Sequence, residues 1–236
     1  MSETTALALL SYDEHEALRH LLPRLPFARF DRVLAVDPGS TDGTLDLYRA
    51  HGIPVHLQTA RGRGNAFRLA QEVAGTDRIV FLSTDGNEDP RDLSQMLRYL
   101  DEGYDLVIAG RFLRRGASSD DSDDPLRVRK LGNIAYSLIV RLLWRSGVWD
   151  AINGYRALRV EAMRRMRLDA PQHEVELQST IRAAKLRMRI KEFPTCEQPR
   201  LGGTRKATAA TWTLGWRIGS CLLREIAIGQ RFARPE

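Results

Sequence analysis

An α/β fold with a mostly parallel central sheet flanked by helices is what this sequence predicts, on three observations. Short, near-continuous apolar runs recur along the first 111 residues. Helix-patterned segments separate them, which indicates strands covered by helices on both faces. Small and acidic residues gather where the runs stop, the edge at which open parallel sheets bind ligands.

The strands follow in order as "TALALLS" (5–11), "RVLAVD" (32–37), "IPVHLQ" (53–58), "DRIVFLS" (77–83) and "DLVIAG" (105–110). Helical candidates lie between them near 14–24, 41–51, 64–74 and 90–102. Beyond 111 the pattern changes. The segment "LRRGASSDDSDDP" (113–125) is polar, acidic and turn-rich, and reads as a mobile surface loop that a ligand would order. Helical patterns follow at 126–146, 159–167 and 173–187, then a strand-like "RMRIKEFP" (187–194) and a basic loop, "CEQPRLGGTRK" (196–206). The tail reads as one or two amphipathic helices. No internal repeat and no low-complexity linker divides the chain.

Composition narrows the classes. With 236 residues, 43% hydrophobic and 28% charged, the chain can bury a sizeable core. Of its 36 basic residues only Lys130, Lys185, Lys191 and Lys206 are lysines. Arginine is the better bidentate partner for phosphate, although GC-rich coding also enriches it. Cys196 and Cys221 stand alone, so neither a zinc site nor a disulfide framework is indicated. "MSETTALALL" has no basic residue ahead of its apolar run, and no run approaches a membrane span. A cytoplasmic protein is expected, with no nucleic acid as partner.

The strand ends carry the chemistry. The first ends in Ser11-Tyr12-Asp13-Glu14, the second in Asp37, the fourth in Ser83-Thr84-Asp85, the fifth in Gly110-Arg111. Singly, each piece has a structural explanation. Asp37 and Asp42 in "DPGSTDGT" suit a turn and a helix cap. "RGRGNA" lacks a third glycine and a Walker lysine, and Glu88 and Asp89 suit the start of a helix. Together, in this order, they form the pattern of a site for a nucleotide and a divalent cation.

At this conjunction the sequence resembles the family 2 glycosyltransferases of the GT-A fold, especially the branch containing dolichol-phosphate mannose and glucose synthases. The resemblance covers roughly residues 5–206. "VLAVDPGSTDGT" is similar to the family's "VDDGSTDGT", and "LLSYDEHEAL" lies where the family has a strand ending in Pro-x-Tyr-Asn-Glu. "RGRGNAFRLA" matches a Gly-Lys-Gly-x-Ala segment with Arg63 in the lysine place, and "FLSTDGNEDP" occupies the Asp-x-Asp segment. "VIAGRF", "DAINGYRALR" and "PRLGGTRK" match the Gly-Ser-Arg step, the Gly-Tyr-Arg-Ala segment and the Arg-x-x-Gly-x-Ser-Lys loop. Three departures stand out: Ser83 replaces the first acid of Asp-x-Asp, Asp13-Glu14 replaces Asn-Glu, and Arg205 replaces the serine before Lys206.

The resemblance implies a glycosyltransferase domain over 1–206, with a nucleotide-sugar-binding half (1–111) and an acceptor half (112–206), followed by an amphipathic tail (207–236). It implies inverting transfer from a nucleoside-diphosphate sugar, with Asp85 holding Mg²⁺ or Mn²⁺ and Arg111, Arg200, Arg205 and Lys206 stabilising the leaving diphosphate or the acceptor. It carries Ser11, Tyr12, Asp13, Glu14, Asp37, Arg63, Ser83, Thr84, Asn87, Tyr155 and Arg156 into the nucleotide-sugar site. A polyprenyl phosphate acceptor needs no general base, whereas a hydroxyl acceptor does. Glu176, with Glu174 and Asp150, supplies the candidates. The alternatives are a soluble transferase acting on a hydroxyl, or an inactive nucleotide-sugar-binding homologue. In the tail, Trp212, Trp216, Leu222, Leu223 and Ile226 interleave with Arg217, Arg224 and Arg231, which fits a peripheral membrane contact, a homodimer contact or packing on the sheet.

Overall fold

The computed structural model describes residues 3–113, 128–201 and 211–233. Seven strands form one sheet: β1 (Thr5–Leu10), β2 (Arg32–Asp37), β3 (Val55–Leu57), β4 (Arg78–Ser83), β5 (Leu106–Gly110), β6 (Arg156–Arg159) and β7 (Ile190–Pro194). Their order is β3-β2-β1-β4-β6-β5-β7. All neighbours pair parallel except β6, which runs antiparallel between β4 and β5. The sheet is therefore mostly parallel, as the apolar runs predict. The antiparallel strand comes from the "GYRALR" segment, which the sequence reading did not mark as a strand. It also brings residues on both sides of position 111 into one sheet.

The helices are α1 (His15–Leu21), α2 (Thr44–Ala50), α3 (Arg63–Val73), α4 (Asp92–Asp101), α5 (Val128–Trp144), α6 (Val160–Met166), α7 (Glu174–Lys185) and α8 (Thr211–Ile228). All six residues of β1 are buried, because helices cover both faces of the sheet. On one face Ala6, Ala8 and Leu10 pack with Phe67 and Ala70 of α3 and with Val175 and Leu177 of α7. On the other, Leu7 and Leu9 meet Leu18 and Leu21 of α1, Tyr48 of α2 and Met96 and Leu100 of α4. Each fully buried leucine of this kind contributes roughly 1.5–3 kcal/mol of transfer free energy.

Two registers set the rim. Leu10 lies opposite Val36 on β2 and opposite Ser83 on β4. The segments after β1, β2 and β4 consequently emerge side by side, placing Ser11, Asp37 and Asp85 at one edge.

Candidate active site at the strand carboxyl ends

The first two loops are stitched to each other. The backbone N–H groups of Asp13 and Glu14 donate to Ser40 Oγ (2.7 Å) and Thr44 Oγ1 (2.9 Å), and Thr41 N–H donates to Asp13 Oδ1 (2.8 Å). Asp42 accepts from His15 N–H and from the N–H and hydroxyl of Thr44, so it holds the starts of α1 and α2 together. Asp37 lies beneath the rim. It is fully buried, and its carboxylate accepts from Gly39 N–H (2.7 Å), Ser40 N–H (2.6 Å) and Ser40 Oγ (2.6 Å). Turn formation consumes its oxygens, so Asp37 shapes the rim from below. Thr84 is also fully buried, and its hydroxyl donates to Ser11 Oγ (2.9 Å). Ser11 is itself buried and bonded to the Tyr48 hydroxyl. At the surface of the same loop Tyr12 lies under the Arg61 guanidinium, 4.7 Å from the ring centre, a contact the sequence reading missed.

The fourth loop presents Asp85. Its carboxylate accepts from Asn87 N–H at 3.2 Å and lies 3.3 Å from Arg200 Nη1, while Nη2 of the same arginine pairs with Glu14. Arg200 thus bridges carboxylates from the ends of β1 and β4. It arrives there because the segment after β7 lies along this loop: Gln198 N–H donates to Asn87 carbonyl (2.8 Å) and Leu201 N–H to Asp85 carbonyl (3.1 Å). Gly86 permits this. Its φ is +85°, and a Cβ there would stand 2.5 Å from Leu201 Cγ.

Glu88 departs from the sequence reading. Asp89 does sit at the start of α4, its carbonyl accepting from Asp92 N–H. Glu88 instead turns back, buried, and accepts from Ser83 N–H at 2.7 Å. Burial pushes its carboxyl up to about 8, opposed by Arg63 and reinforced by the charge of Asp85.

Arg63 occupies the layer beneath. One turn along α3, Phe67 stacks on Phe81 at 3.9 Å, and two residues along β4 from Phe81 lies Ser83. The helix and strand periodicities therefore bring Arg63 onto Ser83, to whose hydroxyl it donates at 2.9 Å. Its guanidinium also pairs with Glu176 of α7. Burial disfavours the charge of Arg63, but Glu176, Glu88 and Asp85 outweigh it and hold the group above its ordinary range. Gly154 leaves room for the pair, since a Cβ there would meet Arg63 Nη2 at 2.0 Å.

Tyr155 and Arg156 lie deeper. Both are buried: the Tyr155 hydroxyl donates to the Asp89 carbonyl (2.9 Å), and Arg156 donates to the Glu176 carbonyl (2.9 Å) and Ser179 Oγ (2.6 Å). They brace the loop and α7 rather than face a ligand. Arg111 forms a bidentate pair with buried Asp150 (2.7 and 3.0 Å) and lies 3.6 Å from Glu197. Arg205, Lys206 and residues 114–125 lie outside the described residues.

Asp85 fits the role of a metal ligand through a single carboxylate. It is partly exposed, and both of its hydrogen-bond contacts are long. Among the described residues no group of three or more His, Cys, Asp or Glu side chains gathers around one point. A cation held there would draw its other ligands from diphosphate and water, which suits Mg²⁺.

The family model "Glycosyl transferase family 2" matches residues 15–167. Among similar proteins, glycosyltransferase AglJ of Haloferax volcanii is 30% identical over 82% of this chain, which spans 63% of AglJ's length. The undecaprenyl-phosphate mannosyltransferase of Micrococcus luteus is 33% identical, covering 78% of this chain and 79% of its own. A structure of Mycobacterium tuberculosis glucosyl-3-phosphoglycerate synthase with Mg²⁺ and uridine diphosphate matches the fold at TM-score 0.76, over 96% of this chain and 80% of that one, at 21% identity. With the family model covering well over half of the sequence, the chain belongs to glycosyl transferase family 2 and is a glycosyltransferase.

Proposed function

We propose that this chain transfers a sugar, with inversion, from a nucleoside-diphosphate sugar to a polyprenyl phosphate, assisted by a divalent metal at Asp85. The observation that carries the acceptor class is the state of the candidate bases. The Glu176 carboxylate is buried against Arg63, and Asp150 is buried against Arg111. Oxygens already taken by a guanidinium are not free to receive an acceptor proton. Glu174, buried at the start of α7, is not occupied in this way: its Oε2 meets no hydrogen-bond partner among the described residues, and it stays the candidate base of the hydroxyl-acceptor reading. An acceptor that arrives ionised needs no such base. The undecaprenyl-phosphate mannosyltransferase of Micrococcus luteus and the polyprenol monophosphomannose synthase of Mycolicibacterium smegmatis, the latter 30% identical over 72% of this chain, support the same class.

In this reading Asp13 and Glu14 line the nucleotide end of the rim and Asp85 the diphosphate end. When bound, the metal neutralises charge developing on the leaving diphosphate. Arg200 releases Asp85 and Glu14 to the ligand and turns its guanidinium to phosphate oxygens, for which its fork geometry is suited. Arg63 and Glu88 fix the backbone and hydroxyl of Ser83, keeping the loop that carries Asp85 in place. The basic loop with Arg205 and Lys206 meets the acceptor phosphate.

The test is a screen of nucleotide-sugars with Mg²⁺ or Mn²⁺, with and without polyprenyl phosphate, following nucleoside-diphosphate release. Release that depends on both metal and lipid phosphate is the expected result. Equal release with a soluble hydroxyl acceptor and none with the lipid would replace this reading by the soluble transferase.

A further inference from the structure

Helix α5 is amphipathic in the inverted sense. Its buried positions include Ser137 and Val140, whereas Leu131, Ile134, Leu138, Ile139, Leu142 and Leu143 face outward, Leu142 being 69% exposed. These six recur at helical spacing and form one apolar stripe on the side away from the sheet. Helix α8 crosses α5 where the Tyr136 hydroxyl donates to the Gly215 carbonyl at 2.9 Å. Past that crossing α8 exposes Trp216, at 77%, and Leu223, at 67%. Large apolar side chains exposed on two helices that touch each other mark an interaction surface.

Its charges identify the partner. The sequence of α5 contains no acidic residue, and the lone acid of α8, Glu225, is fully buried. Arg141 of α5, Arg145 just beyond its end and Arg217 of α8 are basic, while Arg224 of α8 is paired with Asp169. A second copy docked through a two-fold axis would set this basic border against itself. A bilayer with anionic headgroups offers apolar depth to the leucines and negative charge to the arginines. No helix among the described residues is long and apolar enough to cross a membrane, so contact would be along the helix.

We infer that the outward face of α5, with Trp216 and Leu223 of α8, is a docking surface for an anionic lipid bilayer. The inference rests on these two helices and not on the acceptor reading, because vesicle binding and sugar transfer are measured separately.

The experiment is co-sedimentation of the full chain with vesicles of phosphatidylcholine alone or mixed with phosphatidylglycerol. Binding to the mixed vesicles is expected, weaker on the neutral ones and reduced by salt. Leu138→Glu with Leu142→Glu lowers the binding constant about tenfold or more, as does the milder serine pair to a smaller extent. Leu57→Glu, at an exposed leucine on β3, leaves binding unchanged and controls for added charge. Thermal melts of all variants confirm folding, since every site is exposed. Undiminished binding of both double variants overturns the surface, and equal binding to neutral and mixed vesicles overturns its anionic partner. A dimer in sedimentation velocity that the double variants dissolve, with no vesicle binding, overturns both in favour of a second copy.

Discussion

Two clusters of guanidinium and carboxylate groups in this chain are alike in composition and differ in access to water. Between α7 and α8, Glu225 is fully buried and takes Arg182 (2.8 Å) and Lys185 (2.7 Å), while Arg182 also reaches Asp169 (3.0 Å). Gln178 adds a further donor to Glu225 at 3.1 Å. Each charge is met by several partners, and the cluster fastens α8 to α7. At the sheet rim, Arg200 pairs closely with Glu14 but touches Asp85 only at 3.3 Å, and Asp85 is left partly exposed. Saturation and burial mark a structural ion cluster, whereas a carboxylate held by long contacts at the surface can exchange its partner for a ligand.

Glu225→Ala gives the largest expected effect. It leaves Arg182 and Lys185 buried without their shared carboxylate and destabilises the fold by about 3–5 kcal/mol. Chemical denaturation measures this, and turnover per folded molecule stays near wild type. Unchanged stability would erase the distinction between the clusters.

Asp85→Asn comes next and moves the opposite observable. Turnover falls about 10²-fold or more, the scale for losing a group that stabilises transition-state charge, while Tm hardly changes because the pair is partly exposed. Activity equal to wild type would remove Asp85 from the site.

Glu88 sits between the two cases: at the rim, yet buried. Its carboxyl titrates near 8 in the folded chain against 4.5 as an ordinary glutamate. Below pH 4.5 both states hold the proton. Between there and about 8 only the folded state does, so unfolding gains by ionisation and stability falls as pH rises. Glu88→Gln should remove its share of that slope, about 3–4 kcal/mol between pH 5 and pH 8, in denaturation curves at those two pH values. It leaves the same-signed share of Glu192, whose carboxyl burial pushes up to about 7. An identical slope in the variant would place the titration elsewhere.

Glu176→Gln gives the smallest expected loss, less than about tenfold in turnover, because the carboxylate is proposed to position Arg63 rather than to take a proton. A drop of about 10²–10⁴-fold, the range for losing a general base, would reassign the acceptor to a hydroxyl.

The strands that build the rim were legible because each is a short, unbroken apolar run, and burial on both faces demands that composition. The residues at their ends were legible for the same reason: Ser11, Asp37 and Ser83 terminate runs whose registers are set by their apolar residues. β6 was not. Arg156–Arg159 is only four residues, with arginine at both ends, and it is a buried central strand because Arg156 finds the nearby Asn153 carbonyl and, on distant α7, Ser179 Oγ and the Glu176 carbonyl as partners.

By itself the sequence determined the α/β class, the rim that carries the site, and the segments that meet there. Periodicities of two and of 3.6 residues, and the ends of apolar runs, are local properties of the chain. Tertiary structure decided which polar side chains remain open. Asp37 and Thr84 sink into the turns, Asp85 stays at the surface, and Glu88 folds back onto Ser83. It also decided which way the apolar stripe of α5 points. Helical periodicity locates such a stripe, but its direction depends on which surfaces the neighbouring elements have already covered.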